Sequence, residues 1–510
     1  MRSVQIILLL VGLATVVAVF ARRLAVPAPS LLVVAGLIIG FVPGVPQIHV
    51  TPETISLIVL PPLLYAAGEE LSWPELRRQW KPVAALAIGL VPVSAAAVAL
   101  VTMAVTPVPW VLAFVLGAVL SATDPVAVTA LGRKLALPQR LHTLVQAESL
   151  FNDATSLILF RVSATIAVSA TAMTGPRVAG EFALLALGGA VCGAAVAGVV
   201  ALLRLKTEEP VVESVITLVT PYFAFVLAEA FGASGITAVV VASVILGALA
   251  SRLTTPAIRL QIHAVHATVV FGLESVVFAL IGLQLPGLLR TQAAADQPWV
   301  IPMLLITATM IAVRIAWVFP LAGFRHWRHV GADRPMWQVP AVVSWAGARG
   351  VVPLAAALSI PEGVAYHDLL VLLAVGVTCI SLVVQGFTLS PLVRRVSLAV
   401  PHEDMAQEYR VVWSRLIAVG QEHLDKLEDL QALAPVLIER ARQSLRGRDH
   451  VDEGEHITSA YASLRRDMVR LQTRELEVLS RGGEVTEATR RRVQRDLDLD
   501  AERFNDGGHH

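Results

Sequence analysis

The chain has 510 residues, 55% hydrophobic and 15% charged, with a formal net charge of +1. Soluble domains carry about 25% charged residues, so the composition excludes an ordinary soluble protein and points to an all-α membrane protein with the lipid bilayer as its main partner. The near-zero charge excludes nucleic acid, because no basic excess is available to neutralise phosphates. Two cysteines, Cys192 and Cys379, cannot build a disulfide framework or a four-ligand metal site.

A membrane-spanning helix needs about 20 mainly apolar residues. Thirteen such runs follow one another, at 3 to 21, 31 to 48, 53 to 72, 82 to 106, 110 to 131, 141 to 170, 178 to 203, 211 to 230, 233 to 250, 267 to 289, 299 to 323, 337 to 360 and 367 to 393. The first, in MRSVQIILLLVGLATVVAVFARR, ends in Arg22-Arg23 without a small-residue cleavage site, and is read as a retained span, not a secretory leader. Basic residues stay on the cytoplasmic side of short loops. One alternating set of loops holds most of them, including Arg22, Arg23, Arg77, Arg78, Lys81, Arg133, Lys134, Arg140, Arg204, Lys206, Arg252, Arg259, Arg325, Arg328, Arg394 and Arg395, whereas the other holds little beyond Arg2, Arg177 and Arg290. This predicts an odd number of spans in the cell membrane, with the N-terminus outside and the C-terminus in the cytoplasm.

Beyond about Val400 acids and bases alternate, as in RELEVLSRGGEVTEATRRRVQRDLDLDAERF. The expected division is a transmembrane domain over 1–400 and a cytoplasmic domain of helices with solvated, ion-paired faces over 401–510. The closing GGHH is too short for a metal site.

Ionisable groups at bilayer depth each cost at least about 2.5 kcal/mol and normally face a protein interior or a water-filled cavity. Asp124, Glu148, Asp153, Glu274, Arg314 and Arg349 are expected to lie deep, with Arg161 and Glu229 nearer an edge. In the fifth span, SATDPVAV predicts unwinding around Thr123-Asp124, because proline lacks a donor N–H and disfavours helix in the residue before it. In the sixth, ESLFND places Ser149 and Asp153 on one face, while Glu148 diverges from Asp153 by roughly 140° at about 100° per residue. The two acids therefore have different jobs. Asp153, beside Ser149, can offer hard oxygen ligands to a cation or accept a proton, and Glu148 needs a partner. Arg314 in TMIAVRIAW stays charged and must find a carboxylate on another helix; Glu148 is the expected one, leaving Glu274 in FGLESVVFALIG to balance Arg349 or the cavity. The twelfth span breaks at SWAGARGVVP. Broken helices at matching places in two half-chains point to an inverted-repeat transporter with its site near the midplane, where Asp124 and Arg349 would offset the partial charges of half-helix ends.

TDPVAV, ESLFND and the GARG break together resemble the Na+/H+ exchanger (cation:proton antiporter) family over residues 1 to 400, and bacterial members with a cytoplasmic tail in particular. The resemblance implies about thirteen transmembrane helices in two inverted repeats with two broken, crossing helices, a homodimer, and elevator-like movement of a core domain. It implies that Asp153 is the ion-binding and proton-accepting carboxylate and Asn152 its neighbour. Thr123, by its carbonyl, and Ser149, by its hydroxyl, become further ligands of the transported Na+. Glu148 resembles the acid paired with Arg314, and Asp124 and Arg349 the charges at the two breaks. Many members carry an acid after the aromatic of the third helix's Pro-Pro motif; LPPLLYAAGEE has Ala66 there, and acids only at Glu69 and Glu70, read equally as funnel groups or exposed helix-end charges.

The expected function is secondary active exchange of a monovalent cation, Na+ first and K+ as the alternative, for H+. One titrating carboxylate per turnover makes it electroneutral, 1:1, with no cofactor beyond the transported ions. A cation channel is a weaker rival, since two matched breaks suit alternating access. An enzyme is not expected: the chain has no His-Glu-x-x-His and no Gly-x-Ser-x-Gly motif.

Overall fold

The computed structural model describes residues 27–42, 55–125, 139–169, 175–207, 209–254, 256–294, 298–328, 337–361 and 363–396, with scattered positions elsewhere. The chain divides into two units, Met1–Val400 and Pro401–His510. The described residues of the first unit are helical and contain no strand.

The helices are α1 (Ala28–Gly40), α2 (Leu60–Glu69), α3 (Trp73–Ala84), α4 (Leu90–Val105), α5 (Trp110–Ser121), α6 (Gln139–Ser169), α7 (Gly175–Arg204), α8 (Pro210–Ala230), α9 (Gly235–Leu253), α10 (Pro256–Ala294), α11 (Val300–Arg328), α12 (Gln338–Trp345), α13 (Val351–Leu358) and α14 (His367–Val396). Among the described residues, six helical stretches are long and apolar enough to cross a membrane, including Trp73–Val105, which joins α3 to α4, and α14. The predicted first span lies outside the described residues, save for a few positions.

Several charges read as loop residues sit on helices instead. The fourth predicted span begins at 82, but the helix starts at Trp73, where Pro74 occupies the first turn and Arg77, Arg78 and Lys81 extend it. Likewise α10 starts eleven residues before its predicted span, so Arg259 is helical. An apolar window marks where lipid begins, not where hydrogen bonding does. After Pro82 the chain widens into a π turn, Ala85–Gly89, whose Ala85 carbonyl accepts the Trp317 indole N–H at 3.2 Å. Such side-chain rescue of a backbone group is what an apolar surround demands.

Helix pairs approach closely through glycine. A Cβ on Gly36 of α1 would overlap the backbone of Ala279 in α10, and one on Gly282 would overlap that of Val33. Without a hydrophobic drive between helices in lipid, small residues let dispersion contacts form along the seam. At the centre runs α14, buried along most of its length, with α13 and α10 packed on it.

In the second unit, Lys426 pairs with Glu422 at 2.7 Å, and Arg442 reaches both Asp425 and Glu428. The acids and Lys426 are exposed, whereas Arg442 is half-buried.

Candidate functional site

Two helices stop short and meet. α5 ends at Ser121, and Ala122 turns to extended backbone before Pro125. α12 ends at Trp345, and the chain stays non-helical from Gly347 to Gly350 until α13 begins at Val351. The Asp124 N–H donates to the Ala348 carbonyl at 2.7 Å, joining the two breaks directly. Arg349 completes the junction. Its Nη1 donates to the carbonyls of Ser121 and Ala122 at 3.3 and 3.0 Å, placing a cation at the negative C-terminal end of α5. Its own N–H donates to the Ser381 hydroxyl of α14. Asp124 lies against Gly350, where any Cβ would overlap its carboxylate.

α6 holds the junction from one side with a polar stripe at helical spacing. The Ser149 hydroxyl donates to the Thr123 carbonyl, Asn152 Nδ2 to Thr123 Oγ1 at 3.3 Å, and the Ser156 hydroxyl to the Ala118 carbonyl at 2.7 Å. Glu148 points elsewhere on the same helix. It receives both terminal nitrogens of Arg314, one at 2.8 Å, and Arg314 Nε donates to the Val343 carbonyl at 3.1 Å. Both side chains are almost wholly buried, and Gly347 leaves room for the guanidinium to lie across the second break.

Asp153 is 6% exposed, and its Oδ1 has no hydrogen-bond partner among the described residues. It lines a cavity of about 80 Å3 with Thr123, Asp124, Glu274 and Gly350, closed on another side by apolar residues of α2. Such a space can hold a small ion with part of its hydration shell, since a water molecule occupies about 30 Å3 of liquid. Carboxylate, hydroxyl and carbonyl oxygens are the ligands that hard cations take.

The predicted site residues Thr123, Asp124, Ser149, Asn152, Asp153 and Arg349 thus come together at the two breaks, with Glu148 and Arg314 pairing alongside. Of the two places offered to Glu274, the cavity is the one it occupies, because Arg349 is engaged with carbonyl oxygens. Sequence reasoning passed over Ser156 and Ser381, whose only signal is their spacing from other polar residues.

Glu69 is no exposed helix-end charge. One carboxylate oxygen lies 3.2 Å from His266 Nδ1 and the other 3.9 Å from Arg204, whose Nε is 3.3 Å from Glu213. Arg204, read as a loop base, is buried. Glu70 is exposed and meets Gln146 of α6 at 3.4 Å. Arg161 and Glu229 pair with each other, at 2.9 and 3.0 Å.

Residues 6–395 match the model of a family described as sodium/hydrogen exchanger, transmembrane. A protein of Mycobacterium tuberculosis strain H37Rv, named as a Na+/H+ exchanger, is 32% identical over 487 residues, covering 91% of this chain and 88% of its own. The low-affinity Na+/H+ antiporter NhaS1 of Synechocystis is 31% identical over 427 residues, covering 83% of this chain and 80% of its own. Among solved structures, the sodium proton antiporter MjNhaP1 of Methanocaldococcus jannaschii is similar in fold, with a TM-score of 0.63 at 20% identity, over 78% of this chain and 98% of that one.

Proposed function

Because the chain belongs to the sodium/hydrogen exchanger family, a family of multi-pass membrane transporters, we propose that it exchanges Na+ for H+ across the cell membrane by competition at Asp153. The observation that carries this reading is the buried, unpartnered Asp153 oxygen facing a small cavity where two broken helices meet. A carboxylate so placed must be compensated by a proton or by a cation, and either one excludes the other.

Thr123 and Ser149 complete the cation site, with Asn152 holding the Thr123 hydroxyl. Arg349 and Asp124 fix the breaks so that the ligands keep their geometry without neutralising Asp153. Glu148 and Arg314 cancel each other and hold α6 to α11, the role in the fold that a two-pronged pair suits. Asn152 cannot titrate and Arg314 does not release its proton, so one carboxylate cycles and exchange is 1:1 and electroneutral. The thirteen spans form two inverted repeats, with the N-terminus outside and the tail of 401–510 in the cytoplasm. Two copies form a dimer, and each core moves against it like an elevator.

The test is dequenching of a pH dye in everted vesicles on adding Na+, Li+ or K+, with and without an imposed potential. Na+-driven proton movement insensitive to the potential is expected, and Asp153→Asn abolishes it. Robust cation-dependent proton movement by that variant defeats the assignment.

A further inference from the structure

The cavity beside Asp153 has unlike walls. α2 contributes Leu60, Leu63, Leu64 and Ala67, none of which carries charge, and α10 contributes Glu274. Glu274 takes part in no hydrogen bond or ion pair among the described residues. The two buried guanidiniums nearby are occupied, Arg314 by Glu148 and Arg349 by the carbonyls of Ser121 and Ala122. Three carboxylates therefore share one space, and Asp153 presents an unpartnered, nearly buried oxygen to it. Among the described residues no three acids or other ligating side chains lie close enough together to chelate a resident metal.

Resting on the exchange reading above, we propose that Glu274 is a cation-recruiting residue. It neither binds the ion through the cycle nor carries the proton. Its carboxylate, on a helix other than those that bear Asp153 and the breaks, raises cation occupancy of the cavity when ionised and so sets the concentration at which cation displaces the proton from Asp153. The α2 residues that line the cavity, Leu60, Leu63, Leu64 and Ala67, include no acid, so the acid on this side of the space is Glu274 of α10.

The test compares the full-length wild type with Glu274→Gln and Glu274→Asp in proteoliposomes, reading proton movement against Na+ concentration. At an effective dielectric of about 20, a unit charge within about 12 Å of the ion contributes at least about tenfold to cation attraction. The expected result is a rise of at least about tenfold in the Na+ KM of Glu274→Gln, with the maximal rate held within about twofold, and a near-normal KM for Glu274→Asp. An unchanged KM overturns the proposal, as does a loss of maximal rate alone. Should Glu274→Gln show no measurable transport, the Na+ concentration giving half-maximal thermal stabilisation in detergent decides instead: a rise supports the proposal and no change overturns it. Wild-type protein without Na+-driven proton movement, or Asp153→Asn retaining it, would defeat the exchange reading separately, and the stabilisation midpoint would still judge Glu274.

Discussion

Glu148 and Arg314, 166 residues apart in the chain, meet as a two-pronged ion pair inside the helix bundle. The pair sits beside the candidate ion cavity without lining it, so its charges satisfy each other and leave the Asp153 oxygen unpartnered. Removing one member strands the other in an apolar surround. Glu148→Ala or Arg314→Ala is expected to cost about 3–5 kcal/mol, the usual price of one uncompensated buried charge. Replacing both with leucine should recover much of that loss. Thermal unfolding in detergent reads both outcomes, and equal destabilisation by single and double variants would count against the pair as a unit.

Gly350 makes a second, steric prediction. Its missing side chain is what lets the Asp124 carboxylate lie against the second break. Gly350→Ala must push the two breaks apart, at about 1–3 kcal/mol for forced overpacking, and cation-driven proton movement should fall with it. Gly363, which faces open space in the loop before α14, is the control. Gly363→Ala should leave both stability and transport unchanged.

Much of this junction could be read from the chain because its causes are local. Proline at 125 and the glycines at 347 and 350 dictate where helical hydrogen bonding fails, wherever the helices later pack. Arg314 needed an acid from elsewhere, and the divergence of Glu148 from Asp153 on one helix left Glu148 available. Helix starts were harder, since α3 and α10 run on past the lipid-compatible window with charged residues that remain good helix formers. Burial of Arg204 was not legible at all. Nothing in the residues around it distinguishes it from Lys206: one partner, Glu213, starts the next helix nine residues on, and the other, Glu69, comes from a helix distant in the chain.

That buried cluster supports a third prediction. Arg204 stands between Glu69 and Glu213, with His266 on the far side of Glu69. Arg204→Met leaves two buried carboxylates facing each other, and the expected loss is about 3–5 kcal/mol in unfolding free energy. Arg204→Met combined with Glu213→Leu should be milder than Arg204→Met alone. Because the cluster lies apart from the Asp153 cavity, the Na+ KM of whatever protein folds should match wild type.

The serines of α6 separate binding from packing. Ser149 and Ser156 both donate to carbonyls of the α5 segment, but Ser149 does so at Thr123, within the cavity, and Ser156 at Ala118, inside the helix. A lost buried hydrogen bond is worth about 0.5–1.5 kcal/mol either way. For Ser149→Ala the loss also removes a candidate oxygen ligand, so the Na+ KM should rise by up to about tenfold, with transport still measurable because the Thr123 carbonyl and Asp153 remain. Ser156→Ala should lower the unfolding midpoint by a similar energy and leave the KM alone. Na+ titrations of proton movement in proteoliposomes, alongside thermal unfolding of the same preparations, distinguish the two. A shifted KM in Ser156→Ala, or none in Ser149→Ala, would place the cation somewhere other than the Thr123 break.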